Sequence, residues 1–212
     1  MDFTESDYDA LSEIFNVGIG KASDLLSQIV KKKILLQIPR ILVLKSPAEF
    51  QAVPELAGLV KGTLMVSSLS FTEQLAGTAN LVFPAEKMRE FIALCTEEEA
   101  SCEEDVTRFT DVDFDVIKEV GNIFLNCILG SVGDFLNVPM AYSIPAVKVY
   151  DRAIDFGRNV MTKECPSVLF LAVTFVIDSV KIEGAILVSL AMGSCDRLLQ
   201  FLRGIEESLY EF

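Results

Sequence analysis

An acid and an amide one helical turn apart occur twice in this chain, in the same register. Glu13 and Asn16 are preceded by Asp9 and followed by Pro39. Glu119 and Asn122 are preceded by Asp115 and followed by Pro145, and every member of the second set lies 106 residues after its counterpart. The residue types limit the chemistry. Asn does not ionise in the physiological range, so it cannot be a general base; its carboxamide offers two donors and an acceptor oxygen. It can hold a water by the oxygen and a phosphoryl oxygen by the nitrogen. Phosphoryl transfer depends mostly on such positioning and on charge neutralisation. A carboxylate one turn away can grip a lysine or arginine of a partner protein. Neither segment supplies a nucleophile or a metal cluster. The pair is therefore half a site, and the phosphate and any Mg²⁺ must come from a second molecule.

Holding these side chains outward requires a helix. At about 100° per residue, with Asp9 at zero, Glu13 falls near 40° and Asn16 near −20°. Leu11, Ile14, Phe15 and Gly18 fall on the opposite face, as do Ile117, Val120, Gly121 and Phe124 in the second copy. The offset also pairs Thr4 with Thr110, Asp7 with Asp113, Tyr8 with Phe114, Leu11 with Ile117, Ile14 with Val120, Val17 with Ile123 and Ile38 with Ile144. A duplicated core needs only its apolar pattern, so retained outward polar residues point to a task. Thr4 with Asp7 resembles a capping box, which predicts a helix starting near Ser6. Lys31, Lys32 and Lys33 suit its carboxyl end.

The rest of each half repeats in order. Extended chain with Pro39 leads into Ile41–Leu44, and Pro47 and Pro54 punctuate a loop or short helix. Residues 60–69 and 75–83 alternate as strands, and Pro84 opens a helix that buries Met88, Phe91, Ile92 and Cys95. In the second half, residues 113–136 form the long helix, 146–150 are extended and 151–165 are mixed. Residues 167–177 and 180–190 form a hairpin turning at Asp178 and Ser179. A last helix opens at Ser194 or Asp196, with Leu198, Leu199, Leu202 and Ile205 inward. Gly77, Leu81 and Val82 correspond roughly to Gly184, Leu187 and Val188, with a one-residue insertion. Residues 96–107, rich in Glu, form an acidic linker between repeats of about 1–100 and 108–212. Strands joined by short loops pair antiparallel. The expected fold is α+β, one domain of two pseudo-two-fold halves, each helix-strand-x-strand-strand-helix. The halves share an antiparallel sheet and display two long exposed motif helices.

Bulk properties exclude several classes. A net charge of −13 repels nucleic acid and anionic lipid. The longest apolar run, Val168 to Ile177, is far short of the ~20 residues of a spanning helix. No secretory leader is expected, and the chain reads as cytoplasmic and not inserted in a membrane. The five cysteines include no C-x-x-C pair and read as idle thiols. With no histidine in the chain, serine–histidine or cysteine–histidine catalysis is impossible within it. Gly18-x-Gly20 lies inside a helix and is not a dinucleotide loop.

The pattern D-x-x-x-E-x-x-N, then 22 residues, then Pro, resembles the signature of the CheC/CheX/FliY chemotaxis phosphatases, and it is complete in both copies. Length and layout resemble CheC over nearly the whole chain. The resemblance implies a single CheC-like domain over residues 1–212 that stimulates hydrolysis of the aspartyl phosphate on the response regulator CheY. It makes Glu13 and Glu119 the docking acids toward the regulator's active-site lysine, and Asn16 and Asn122 the residues that orient the water. It implies no cofactor held by this chain, because Mg²⁺ belongs to the regulator. It also implies the receptor deamidase CheD as a further partner, docking after the second proline near Tyr150 and Asp151; that stretch does not match residue by residue. The copies depart from each other after the amide: Asn16-Val17-Gly18-Ile19-Gly20 against Asn122-Ile123-Phe124-Leu125-Asn126. Phe124 implies different packing, and Asn126 adds a third amide. Two other functions are weighed: a non-catalytic adaptor for CheY or CheD, and a flagellar switch component like FliY. The second is expected to need a docking peptide or added domain, for which the chain ends leave no room.

Overall fold

A computed structural model of the protein describes residues 3–59, 62–96, 109–151, 153–177 and 180–210. The first half runs α1 (Glu5–Val30), β1 (Ile34–Leu44), α2 (Pro47–Ala52), α3 (Pro54–Leu59), β2 (Leu64–Glu73), β3 (Gly77–Pro84) and α4 (Ala85–Thr96). The second runs α5 (Asp111–Leu136), β4 (Met140–Tyr142), β5 (Ala146–Tyr150), α6 (Ala153–Val160), β6 (Ser167–Ile177), β7 (Val180–Leu190) and α7 (Ser194–Tyr210). The fold is α+β with an antiparallel sheet, as the sequence predicts. The acidic stretch falls mostly outside the described residues, as do Asp178, Ser179 and the Ile205 side chain.

The sheet order is β1-β6-β7-β3-β2-β4, with β5 also on β2. Exchanging the halves reverses this order onto itself. The centre is the β3–β7 ladder, where Asn80 lies opposite Leu187 and its Nδ2 donates to the Leu187 carbonyl at 3.2 Å. Followed through the strand pairings, the offset falls from 106 on the edge strands to 105 along this ladder, so Leu81 matches Ile186, the residue it lies opposite, and not Leu187.

The two proline strands are the sheet's edges. β1 covers residues 34–44, and its counterpart at the same offset is β4 plus β5, so the additional short strand is the first part of a broken β1 equivalent. Each edge slips by one residue across its proline. Gln37 faces Thr174 but Arg40 faces Ala172; Tyr142 faces Phe71 but Ala146 faces Ser68. Proline has no N–H for the ladder, so in sheets it is confined to edges and bulges. Pro39 therefore sits within β1, which begins at Ile34, and not in extended chain ahead of a strand over Ile41–Leu44.

Two apolar layers sandwich the sheet. One face carries α1, α4, α5 and α7, with Leu11, Phe15, Phe91, Phe124, Ile128, Leu198 and Leu202 in the core. The other is covered by the variable segments, through Val53, Leu56, Phe156 and Val160 packed on Val66, Phe170 and Leu187. Burial on both faces explains why β6 reads as a continuous apolar run. Phe175 anchors the first layer, with the rings of Phe83, Phe91 and Phe124 at 5.2, 5.7 and 5.2 Å. By length and composition α5 could cross a membrane; its apolar face is spent on this core instead.

Candidate functional site

The two motif helices are started by the same device. Thr4 and Thr110 accept from the amides of Asp7 and Asp113, whose carboxylates accept from the cap amides at 2.7 Å. Phe3 stacks against Tyr8 at 5.8 Å and Phe109 against Phe114 at 6.2 Å. These rings are hydrophobic staples that fix each helix entry. The sequence reading found the boxes but missed Phe3 and Phe109, which share the offset and could have been found by it.

Asp7 is 1% exposed and is met by Arg203 of α7, with Nη2 to Oδ2 at 2.9 Å. Burial alone would raise its pKa. The Arg203 hydrogen bond and charge, with the Thr4 amide and hydroxyl, outweigh this and hold the carboxyl below the usual 3.8. The group contributes stability above that value and loses it as pH falls through the lowered pKa. Arg203 is partly solvated, which screens the pair. Asp7→Asn is expected to cost about 1 kcal/mol at pH 7. Denaturant titrations of both proteins should converge below pH 3.8; a gap that persists there would assign the loss to something other than the charge.

On α1, Asp9, Glu13 and Asn16 are all exposed, while Leu11, Ile14 and Phe15 beneath them are at most 1% exposed. On α5, Asp115 and Glu119 are exposed and Asn122 is half-buried. The structure thus groups the six residues as two outward acid–amide triplets, one per helix. The helices pack on each other through Gly18, where a Cβ would come within 3.0 Å of the Cys127 carbonyl and the Ile128 Cα. Lys21 and Asp134 bridge them at 3.3 Å on the surface. Phe124, the counterpart of Gly18, is fully buried and turns down to Phe175. The different packing expected after the second amide is therefore a real division of labour: Gly18 admits the neighbouring helix, and Phe124 plugs the sheet.

The second amide differs also in its neighbour. Asn126 Nδ2 donates to Asn122 Oδ1 at 2.6 Å. At the matching position α1 has Gly20. Cys127 follows, half-buried, with burial raising its pKa, and burial pushes Cys95 up to about 12. These thiols are protonated near neutral pH and are not poised as nucleophiles. Among the described residues no three His, Cys, Asp or Glu side chains gather as a metal cage.

No protein-family model and no curated protein matches the sequence. Solved structures do match. Thermotoga maritima FliY superposes with a TM-score of 0.75 at 18% identity, over 96% of this chain and 99% of that one. The FliM middle domain of H. pylori gives 0.65 at 11%, over 94% and 99%. CheX of Desulfovibrio desulfuricans gives 0.51 at 12%, over 84% and 99%.

The chain has the CheC/CheX/FliY fold.

At these identities the likeness is one of backbone. On that backbone this chain carries its pair of acid–amide triplets on the outer faces of α1 and α5.

Proposed function

We propose that the protein is a cytoplasmic phosphatase that stimulates hydrolysis of the aspartyl phosphate of CheY, using Glu13 with Asn16 and Glu119 with Asn122. The observation that supports this most directly is the outward placement of both acid–amide pairs on helices whose inner faces are buried. The fold, shared with CheX and FliY structures, is in keeping with a chemotaxis role. Docked on the regulator, the acid meets a lysine, and the amide oxygen holds a water in line with the phosphorus. The water oxygen bonds to phosphorus as the bond to the aspartyl oxygen breaks. The carboxylate leaves with the electron pair, and both water protons stay with the released phosphate. Mg²⁺, held by the regulator, offsets the phosphoryl charge.

Phosphate release from phosphorylated CheY with Mg²⁺, measured with and without the protein, tests the reading; an unchanged rate would reject it. The acids act in docking, so Glu13→Gln with Glu119→Gln should raise KM about tenfold or more while maximal release changes less. Equal KM values would remove them from the docking role. The fold likeness to the FliM middle domain favours a second reading, an adaptor that binds CheY or CheD without catalysis. Binding of either partner with no faster release would support it. α6, the helix after Pro145, is the element to alter for CheD.

A further inference from the structure

The two motif amides have different neighbours one turn further along their helices, and the difference falls on the reacting end of the amide. Asn122 Oδ1 accepts from Asn126 at 2.6 Å, which is short for an N–H···O bond. Residues four apart lie side by side on a helix, so the bond needs no backbone distortion. At Gly20, a Cβ would have no heavy atom within 4 Å, and among the described residues no side chain hydrogen-bonds the Asn16 carboxamide. Asn16 is exposed, whereas Asn122 is half-buried.

We infer that Asn126 is a latch on the second motif: it draws the Asn122 carboxamide along the helix and occupies the oxygen that would seat the attacking water. This rests on the phosphatase reading and deepens it, assigning most of the turnover to Asn16. A carbonyl oxygen has a second lone pair, so the latch slows the second motif without abolishing it. If the amides are exchanged, with Asn122 donating, its nitrogen is committed instead. A group that needs both ends for water and phosphoryl oxygen is hindered either way.

The prediction runs in two directions. In an Asn16→Ala background, where only the second motif works, Asn126→Ala should raise maximal release from phosphorylated CheY about 2- to 10-fold with KM unchanged. In an Asn122→Ala background, Gly20→Asn should install the latch on Asn16 and lower maximal release by a similar factor. Gly20→Ala, which fills the same open space without an amide, should not. The KM-against-kcat split separates this from a structural effect on docking. A fall in rate on Asn126→Ala would make Asn126 a helper and overturn the latch. So would release that responds neither to Asn126→Ala in the Asn16→Ala background nor to Gly20→Asn in the Asn122→Ala background. Wild-type protein that stimulates no release overturns the phosphatase reading and the latch together.

Discussion

Asn16→Ala combined with Asn122→Ala is expected to lower stimulated phosphate release about 100-fold or more while the protein stays folded. The size follows from the role. The amide makes no bond to phosphorus, yet in-line attack requires the water to lie on one axis at one distance, and loss of that placement alone costs this much. Neither substitution touches the core. Asn16 is exposed and Asn122 half-buried, each on the outer face of its helix, and alanine has the better helix propensity. A circular-dichroism melt should therefore match or exceed that of the unaltered protein. Normal release from the folded double variant would remove the amides from the chemistry. If the latch holds, Asn16→Ala alone should account for most of the loss.

Phe175→Ala is expected to be the most damaging core change. The side chain is fully buried, and three rings surround it: Phe83 from β3, Phe91 from α4 and Phe124 from α5. Two belong to the first half and one to the second, so the cavity opens at the junction of the halves. A buried Phe→Ala change costs about 3–5 kcal/mol, and the lost edge-on ring contacts place this one at the upper end. At this chain length about 4 kcal/mol corresponds to a fall in Tm of roughly 10 °C. Urea unfolding would read it directly. A loss under ~1 kcal/mol would mean that the rings close over the gap.

The sequence carried the fold largely through repetition. The capping boxes, the β6–β7 hairpin and the buried stripes of α4 and α7 were legible because each is a local pattern, and each appeared twice or was bounded by clear turn residues. The place of the prolines was not. Pro39 lies within an edge strand because the strand can absorb a bulge where no neighbour needs its N–H, and edge position is a property of strand order that no local pattern records. The sheet order itself was equally hidden. The outward face of the motif was legible from helical spacing. Its unequal neighbours were visible as letters, Gly20 against Asn126, but whether Asn126 turns toward Asn122 or away is decided by its rotamer, which spacing does not record. Arg203 was missed because it meets Asp7 from the far end of the chain.

The strand order has one more consequence. Each edge strand is hydrogen-bonded only to the hairpin of the opposite half, β1 to β6 and β5 to β2. During synthesis, β1 waits for well over a hundred residues before its neighbour exists, a non-local closure of the kind that slows folding. A half-length ancestor could have completed this sheet only as a symmetric pair of identical chains, each lending its border strand to the other. Gene fusion would then have freed the two copies to diverge, one amide held and the other left open.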